Sequence, residues 1–187
     1  MREVVFLVEE LSAKALLESL LPRLLPEGVL FRIIPFEGKQ DLEKQVVRRI
    51  RGYQNPAARF IVLRDQDSAP DCTVLKQRLL TYCADSGKAR DCLVRIACTE
   101  LETFYLADLA AVEEGLAISG LAKLQGRRKF RAPDRLGSPS LELKTLTKNR
   151  YEKVAGSRAI GKYLQLDNPR SASFHHLITG VRRLCAV

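Results

Sequence analysis

A short apolar run that ends in a pair of aspartates constrains this chain more than any other stretch. Phe60-Ile61-Val62-Leu63 leads through Arg64 into Asp65-Gln66-Asp67. A continuous apolar run of this length, with charged residues directly after it, is typical of a strand that is buried on both faces of a sheet. Two aspartates at spacing i, i+2 point the same way if the chain stays extended. Oxygen ligands held close together favour a hard divalent cation such as Mg2+.

The same pattern occurs twice more along the chain. Residues 4–8, Val-Val-Phe-Leu-Val, run into Glu9 and Glu10, and residues 93–97 are followed by Glu100 and Glu102. Because the carboxyl ends of parallel strands lie at one edge of a sheet, we expect the acids of all three strands to converge in the crevice at that edge. Like charges in one site repel each other, so the cluster needs cations.

These acids also have an ordinary structural interpretation. Asp and Glu frequently follow strands because they begin loops or cap helices. Thr99 and Glu102 have the spacing of a capping box, which offers Glu102 a role at the start of a helix. The repetition on three strands nevertheless favours a shared site over three unrelated caps.

Hydrophobic patterning predicts an α/β fold with a central, mostly parallel, four-stranded sheet that is flanked by helices. Strands are expected at residues 3–8, 29–36, 58–63 and 92–97, and a helical pattern follows each of them. Ser12, Ser68 and Thr99 are the expected helix starts. The alternation of strand and helix is typical of a Rossmann-like sheet with right-handed crossovers.

The pattern changes after residue 112, so two regions are predicted. Residues 1–112 form the α/β core, and residues 113–187 form a basic loop and a helical C-terminal extension packed on that core. Residues 125–139 are rich in basic residues, Gly and Pro, which favours a surface loop. Helices are expected at residues 141–154, 157–164 and 171–185.

The charge of the chain favours a polyanionic partner. Its 187 residues carry a formal net charge of +9, and a basic surface around an acidic cleft suits nucleic acid, either DNA or RNA. A basic surface without any such partner would have the same net charge, so charge alone does not decide. The predicted contacts to the phosphate backbone are Lys39, Arg127, Arg128, Lys129 and Arg131.

Cysteine usage and the length of the apolar runs predict a cytoplasmic protein that does not enter a membrane. The five cysteines are odd in number and form no C-x-x-C motif, so neither a disulfide framework nor a zinc site is expected. We interpret them as reduced thiols. Met1-Arg2-Glu3 leads directly into the first strand, so no signal peptide is expected. No apolar run is long enough to span a bilayer.

One segment approaches a nucleotide-binding motif without completing it. Residues 156–163, GSRAIGKY, nearly match the phosphate-binding loop G-x-x-x-x-G-K-[ST]. Tyr163 replaces the hydroxyl residue that should reach Mg2+, and no strand is predicted before the segment. We therefore interpret it as part of a helix.

The order of these strands and acids resembles the Toprim fold, which topoisomerases, primases, small nucleases and the overcoming-lysogenization-defect (OLD) family nucleases share. The matching elements are Val8-Glu9 and Asp65-Gln66-Asp67. Over nearly its whole length the chain resembles a Toprim-like bacterial family, the domain of unknown function 4276 family. The segments that carry this resemblance are FLVEELSAKALLESLLPRLLP, FEGKQDL, ELETFYLAD and YEKVAGSRAIGKYLQLDNPRSASF. The resemblance implies a neighbouring ATPase and a role in defence against phage or other foreign DNA.

The resemblance also implies roles for individual residues. Glu9 would be the acid after the first strand, acting as a general base or a metal ligand. Asp65 and Asp67 would hold Mg2+ or Mn2+, and Glu100 would be a further ligand. Lys153 would be the catalytic lysine that stabilises charge developing on the phosphate.

Two features depart from the Toprim nuclease pattern. Such nucleases usually carry a second acid one turn after the first, as in E-G-x-x-E. Here Glu10 takes the place of the Gly, and Ala13 and Lys14 stand where the second acid is expected. In addition, the bulky cation of Arg64 directly precedes the D-x-D motif.

The sequence therefore predicts a Mg2+-dependent enzyme that cleaves phosphodiester bonds in DNA or RNA. Since the chain has no complete nucleotide-binding loop, its activity is expected to involve a partner ATPase. The alternative is a non-catalytic, Toprim-shaped module that binds nucleic acid or protein within a larger complex. In that alternative the carboxylates serve as structure, and removing Asp65 or Asp67 would lower stability because a partner in a buried polar network is lost.

Overall fold

The computed structural model describes residues 2–186, in which four strands form one parallel sheet. The strands are β1 (Glu3–Val8), β2 (Leu30–Pro35), β3 (Ala58–Asp65) and β4 (Cys92–Ala97). Their order across the sheet is β2-β1-β3-β4, and every neighbouring pair is parallel. The predicted α/β fold with a four-stranded parallel sheet is confirmed.

The two central strands, β1 and β3, are buried on both faces of the sheet. Side chains of a strand alternate between the two faces of the sheet. A run of apolar residues therefore contributes side chains to the hydrophobic cores on both faces. The face that we call face A takes Val4, Phe6, Val8, Ile61 and Leu63. The opposite face, face B, takes Val5, Leu7, Phe60 and Val62. This alternation explains why both strands read as continuous apolar runs.

Helices cover both faces of the sheet. Residues 2–186 contain α1 (Leu11–Leu24), α2 (Lys39–Arg51), α3 (Cys72–Asp85), α4 (Glu102–Leu106), α5 (Leu109–Leu116), α6 (Arg128–Arg131), α7 (Pro139–Leu146), α8 (Lys153–Gly161) and α9 (Ala172–Cys185). Short 3₁₀ turns lie at Ala89–Asp91, Ala122–Leu124 and Pro133–Arg135. Apolar residues of α1, α4, α5, α8 and α9 join the core on face A, and those of α2 and α3 join the core on face B. Within residues 2–186, none of the helices combines the length and apolar character needed to cross a membrane.

Residues beyond 112 pack directly on the helices of face A. The Ser19 hydroxyl in α1 donates to the carbonyl of Arg158 in α8 at 2.8 Å. The Arg23 guanidinium donates to the carbonyls of Gly161 at 3.1 Å and Leu164 at 2.9 Å. The α1–α8 contact thus ties the C-terminal half of the chain to the sheet. The division into regions 1–112 and 113–187 stays a prediction.

All three predicted helix starts are displaced, the one at Thr99 because α4 begins at Glu102 with Leu101 at its cap position. Helix α1 begins at Leu11, so Ser12 lies inside its first turn and is buried. Helix α3 is capped by Asp71, whose side chain accepts a hydrogen bond from a backbone amide of the first turn, and not by Ser68. Several Ser and Asp residues near a helix start can each serve as the cap. The path of the loop decides between them, and the local sequence does not contain that information.

The segment predicted as a surface loop, residues 125–139, includes helix α6 and is anchored in the core. The Phe130 side chain is fully buried. The Gln125 carboxamide donates to the carbonyls of Leu106 at 3.1 Å and Phe130 at 3.0 Å, and it accepts from the amide of Leu109 at 2.7 Å. The basic side chains of the segment are therefore carried on a fixed backbone.

Two of the three predicted C-terminal helices have different bounds in the structure. The helix expected at 141–154 ends at Leu146, because Lys148 and Asn149 adopt left-handed backbone conformations with φ of +50° and +62°. Helix α8 begins at Lys153 and not at 157. Helix α9 agrees with the prediction of 171–185 to within one residue. The segment 156–163 lies within and just after α8, so the helical interpretation of GSRAIGKY is confirmed.

Gly115→Ala should destabilise the protein, because α5 and α8 are in backbone contact at this point. A Cβ atom on Gly115 would lie 2.7 Å from the Cα atom of Ile160 and 2.8 Å from its nitrogen. Overpacking of this kind costs about 1–3 kcal/mol, which urea denaturation would measure. Gly126→Ala is the control, since a Cβ atom there meets nothing within 4 Å. Equal stability of the two variants would contradict the close contact.

Candidate active site

The loops that follow β3 and β4 are joined to each other at the carboxyl edge of the sheet. Asp65, the last residue of β3, lies beside Ala97, the last residue of β4. Beyond the strands, the amide of Gln66 donates to the Ala97 carbonyl at 2.9 Å, and the amide of Asp67 donates to the Thr99 carbonyl at 2.7 Å. Asp67 and Thr99 both have left-handed backbones, with φ of +51° and +64°. The chain therefore does not stay extended through the D-x-D motif, which was the condition for its two aspartates to point the same way.

A second carboxylate, that of Glu102, lies close to Asp65 and is fully buried. Glu102 is 1% exposed, and its Oε1 accepts a hydrogen bond from the Tyr151 hydroxyl at 3.0 Å. That hydroxyl lies 3.3 Å from Ser157 Oγ. Burial, and then the carboxylates of Glu102 and Glu9, raise the pKa of Asp65 well above its ordinary value of 3.8. Burial and the neighbouring carboxylates therefore disfavour the ionised form of Asp65.

Glu102 does not have the capping role that its sequence spacing indicates. Helix α4 begins at Glu102 with Leu101 at the cap position, and no side chain caps it. The Thr99 hydroxyl instead donates to the carbonyl of Leu136 at 2.9 Å. Burial raises the pKa of Glu102, while its own backbone amide, Lys153 and the Tyr151 hydroxyl lower it. The capping-box interpretation is wrong, and Glu102 is a site acid that the sequence reasoning set aside.

Glu9 lies against the buried guanidinium of Arg64. Glu9 Oε2 and Arg64 Nε are 3.6 Å apart, and each is buried without a hydrogen bond inside residues 2–186. Arg64 is 5% exposed and also contacts the Glu43 carboxylate, which accepts from Arg78 at 2.9 Å. Burial, and then the Asp67 carboxylate, raise the pKa of Glu9, although Arg64 opposes this.

Two lysines form ion pairs with the remaining acids near this edge. Lys39 Nζ lies 3.1 Å from Asp67 Oδ2. Lys153 Nζ lies 3.3 Å and 3.4 Å from the two carboxylate oxygens of Glu10. Burial lowers the pKa of Lys153, but the carboxylates of Glu10, Glu102 and Asp65 outweigh it and raise the pKa above 10.5. Lys153 is therefore charged at neutral pH. The prediction that Lys153 belongs to the acidic site agrees with this geometry, and the role of Glu10 was not predicted.

Glu100 serves the start of a helix. Its Oε2 accepts a hydrogen bond from the backbone amide of Ser140 in the first turn of α7, at 2.7 Å. Ser138 occupies the cap position of α7, but its side chain forms no capping bond. The Glu100 carboxylate caps the helix in its place. This bond joins the loop after β4 to the start of α7.

The predicted basic contacts lie on the surface of the segment that contains α6. Arg127, Arg128, Lys129 and Arg131 are all exposed. Lys129 forms an ion pair with Glu142 of α7 at 2.5 Å, and Arg131 donates to the carbonyl of Gly126 at 2.8 Å. Since α7 is joined to Glu100, this segment is connected through α7 to the loop after β4. Nucleic-acid binding by these residues and by Lys39 stays a prediction.

Three helices begin at the carboxyl edge with free N-terminal amides. The residues at their cap positions are Glu10 for α1, Gly38 for α2 and Glu152 for α8, and none of them forms a side-chain capping bond. Helix N-termini attract anions through these amides and through the helix dipole. Lys39 and Lys153 are the first residues of α2 and α8. The N-termini of α1, α2 and α8 therefore add partial positive charge to this edge of the sheet.

The donor set of the site is compatible with Mg2+ or Mn2+. Within the described chain, no group of three or more His, Cys, Asp and Glu side chains is arranged to hold one metal ion. Mg2+ commonly takes only one or two carboxylates from a protein and fills its other positions with water and substrate phosphate. Asp65 and Glu9 fit that mode, because both are electrostatically strained and Glu9 Oε2 is buried without a hydrogen bond. Metal binding by Asp65, Asp67 and Glu100 stays a prediction.

Comparisons with known proteins agree with this architecture. A family model described as "Domain of unknown function (DUF4276)" matches residues 8–182. Among solved structures, the C-terminal region of the Burkholderia pseudomallei OLD protein matches with a TM-score of 0.53 and 16% sequence identity, covering 97% of this chain and 98% of that one. At this identity the match shows a shared fold. No curated protein sequence matches the chain. The predicted family and its structural relation to OLD proteins are confirmed.

Asp65→Asn should stabilise the metal-free protein at neutral pH. Because the pKa of Asp65 is raised on folding, the native state holds this proton more tightly than the unfolded chain, and the resulting stabilisation is lost as pH rises above about 4. We expect the free energy of unfolding of the variant to exceed that of the wild type at pH 7, and the difference to shrink toward pH 4. Urea denaturation in EDTA between pH 4 and pH 7 measures this difference in the free energy of unfolding. Asp85→Asn, at an exposed position, should show no such pH-dependent difference.

Tyr151→Phe should destabilise the protein, because it leaves the buried Glu102 carboxylate without the hydroxyl that donates to it. A buried acceptor that loses its partner costs about 1–3 kcal/mol. Thermal and urea denaturation would measure the loss. Tyr163→Phe, at an exposed tyrosine, is the matched control and should be neutral. If both variants unfold like the wild type, the Tyr151–Glu102 bond does not contribute to stability.

Proposed function

The chain belongs to the DUF4276 family, and we propose that it is a metal-dependent enzyme that cleaves phosphodiester bonds in DNA or RNA. The observation that carries the proposal is that the half-buried Asp65 and the fully buried Glu102 lie close together, next to the cationic Lys153. A carboxylate whose pKa is strongly raised at an open edge of a sheet is typical of a functional site. The crevice at the carboxyl ends of parallel strands is where α/β proteins bind their ligands.

Each residue has a role that its surroundings favour. When bound by Asp65 and Glu9, Mg2+ or Mn2+ would neutralise charge on the phosphate and lower the pKa of the attacking water. Lys153, which is charged and half-exposed, would donate to a phosphate oxygen as negative charge develops there. Where Glu9 does not bind the metal, it is suited instead to accept a proton, because its raised pKa brings it closer to neutral pH.

Nucleic acid is the substrate that the charge of the protein favours. The chain has a net charge of +9, and three helix N-termini surround the acidic site. Lys39, Arg127, Arg128, Lys129 and Arg131 would contact the phosphate backbone on either side of the cleaved bond. Contacts of that kind are independent of base sequence and weaken with salt.

A partner ATPase and a role in defence against phage or other foreign DNA are part of this proposal. They rest on the family resemblance that the sequence carries. The segment that approaches a nucleotide-binding loop is helical here, since residues 153–161 form α8. An ATP-driven activity would therefore need a nucleotide-binding subunit or domain in addition to the described region.

A non-catalytic binding module is the second candidate function. The observation that favours it is that several predicted site acids are already engaged inside the protein. Asp67 is paired with Lys39, and Glu100 accepts from the amide of Ser140. In this alternative, acids and lysines stabilise the edge of the sheet as a docking surface.

Cleavage assays with single variants distinguish the two candidates. We expect the wild type to cut DNA or RNA in Mg2+ or Mn2+ and to be inactive in EDTA. Asp65→Asn should lose cleavage without losing stability. Lys153→Met should reduce the rate by about 100-fold, as removal of one charge-stabilising donor does in other enzymes. Gel assays on labelled oligonucleotides measure both effects.

Lys162→Met provides the matched control for the lysine. Lys162 is exposed and follows the opposite end of α8, so its removal should leave the rate unchanged. Wild-type protein that binds nucleic acid but never cleaves it, with or without an added ATPase partner, would favour the binding module. If both lysine variants lose the same fraction of the cleavage rate, the effect comes from the overall positive charge of the protein. Lys153 would then not belong to the proposed site.

A further inference from the structure

A pocket of about 540 Å³ lies next to the acidic site, where α1, β2 and α8 meet. The carboxylates of Glu10 and Glu37, the Ser12 hydroxyl and Lys153 are its polar groups, and Leu11, Pro35, Phe36 and Val154 supply apolar surface. Pockets of roughly 300–1,000 Å³ are the size that binds small molecules or parts of larger ligands. The roles proposed above for the acidic site leave this apolar surface unused.

Two exposed aliphatic side chains lie together in this pocket. Leu11 is 57% exposed and Val154 is 40% exposed. They belong to the first turns of two different helices, α1 and α8. Single exposed aliphatic residues are common on protein surfaces, so the relevant feature is that these two line one pocket beside Lys153. A ligand that covered both would gain the free energy of burying their apolar surface.

The chemistry of the pocket matches one nucleotide of an unpaired strand. A nucleotide has an anionic phosphate and a flat base whose two faces can pack on apolar groups, and here Lys153, which is paired with Glu10, stands beside an aliphatic wall. We propose that this pocket binds an unpaired nucleobase adjacent to the phosphate held at Lys153, so that single-stranded or locally unpaired nucleic acid is the substrate. This inference rests on the function proposed above, and it defines the substrate class of the same site.

The geometry excludes an intact duplex from this mode of binding. Bases in a duplex are stacked inside the helix, and a protein that encloses one must act on a single strand or take the base out of the stack. Phe36 is buried, so Leu11, Pro35 and Val154 would provide most of the contact. Aliphatic side chains cannot recognise the hydrogen-bond donors and acceptors by which the bases differ. We therefore expect little preference among the four bases.

Binding measurements test the pocket independently of cleavage. The probe is a short, labelled single-stranded oligonucleotide of mixed sequence, compared with its blunt duplex by fluorescence anisotropy in the Asp65→Asn background. We expect the single strand to bind more tightly than the duplex. Leu11→Ser and Val154→Ser should each weaken single-strand binding by about fivefold to tenfold, as loss of buried aliphatic surface does, and leave duplex binding unchanged.

Matched controls separate the pocket from general effects of exposed aliphatic residues. Val74→Ser and Leu141→Ser remove side chains that are 68% and 63% exposed on α3 and α7, outside the pocket, and should not change either affinity. An oligonucleotide with abasic positions should bind the wild-type pocket more weakly, and the Leu11→Ser variant should lose this sensitivity. Unchanged single-strand binding in both pocket variants would overturn the proposal, as would equal binding of the two probes.

The outcomes also distinguish this inference from the proposed function. Single-strand binding that depends on Leu11 and Val154, combined with no cleavage by the wild type, would support the pocket and refute the nuclease. Cleavage of single strand and duplex at equal rates, unaffected by the pocket variants, would support the nuclease and refute the pocket. Failure to bind either probe overturns the pocket and leaves a protein partner as the occupant to be tested.

Discussion

Repulsion among the carboxylates at the carboxyl edge of the sheet is the constraint on which the arrangement of this site depends. β1, β3 and β4 all deliver acids to one crevice, and like charges this close destabilise the ionised state. Basic side chains from distant parts of the chain form ion pairs with several of these acids. Arg64 lies between Glu9 and Glu43, Lys39 pairs with Asp67, and Lys153 pairs with Glu10. Helices α2 and α8 are positioned so that their first residues supply two of these charges.

The pleat of β3 separates the two kinds of charge. Arg64 and Asp65 are adjacent, so their side chains leave the strand on opposite faces. The Arg64 guanidinium reaches Glu43 of α2, which covers face B. Asp65 lies near Glu102 and Lys153, whose helices α4 and α8 cover face A. The bulky cation before the D-x-D motif therefore does not fill the space beside Asp65, and it lies against Glu9 instead.

Asp65 and Glu102 are acids of this site that form no ion pair, although the Tyr151 hydroxyl donates to Glu102 and Lys153 lies close to both. Among residues 2–186, no lysine, arginine or histidine forms an ion pair with either of them, and burial raises the pKa of both. Two apolar residues would fill this space at lower energetic cost. A ligand that carries positive charge to this point would remove the penalty.

Much of the fold and part of the site could be predicted from local sequence. Two features of the sequence predicted the parallel sheet: the apolar runs of β1 and β3, and the acids that follow them. They also predicted that Glu9, Asp65 and Asp67 lie at the carboxyl edge of that sheet. The position of Lys153 beside this edge was inferred from family resemblance, since its partner, Glu10, is far away in the sequence. Glu102 was counted among the acids expected at this edge, with a capping box as its alternative because its spacing from Thr99 is correct for one. The left-handed turn at Thr99 and the start of α4 at Glu102 show that this cap does not form.

The sequence by itself determined the layers of the fold, because strand and helix periodicity and the burial of apolar runs are properties of short segments. Tertiary structure alone decided which charges meet. Tyr151 reaches Glu102 across 49 positions, and Lys153 reaches Glu10 across 143. Such contacts depend on how α8 packs against α1, where the backbone of Gly161 approaches Leu16. A pKa depends on burial and on every nearby charge, so the chemistry of the site exists only once these distant segments are packed together.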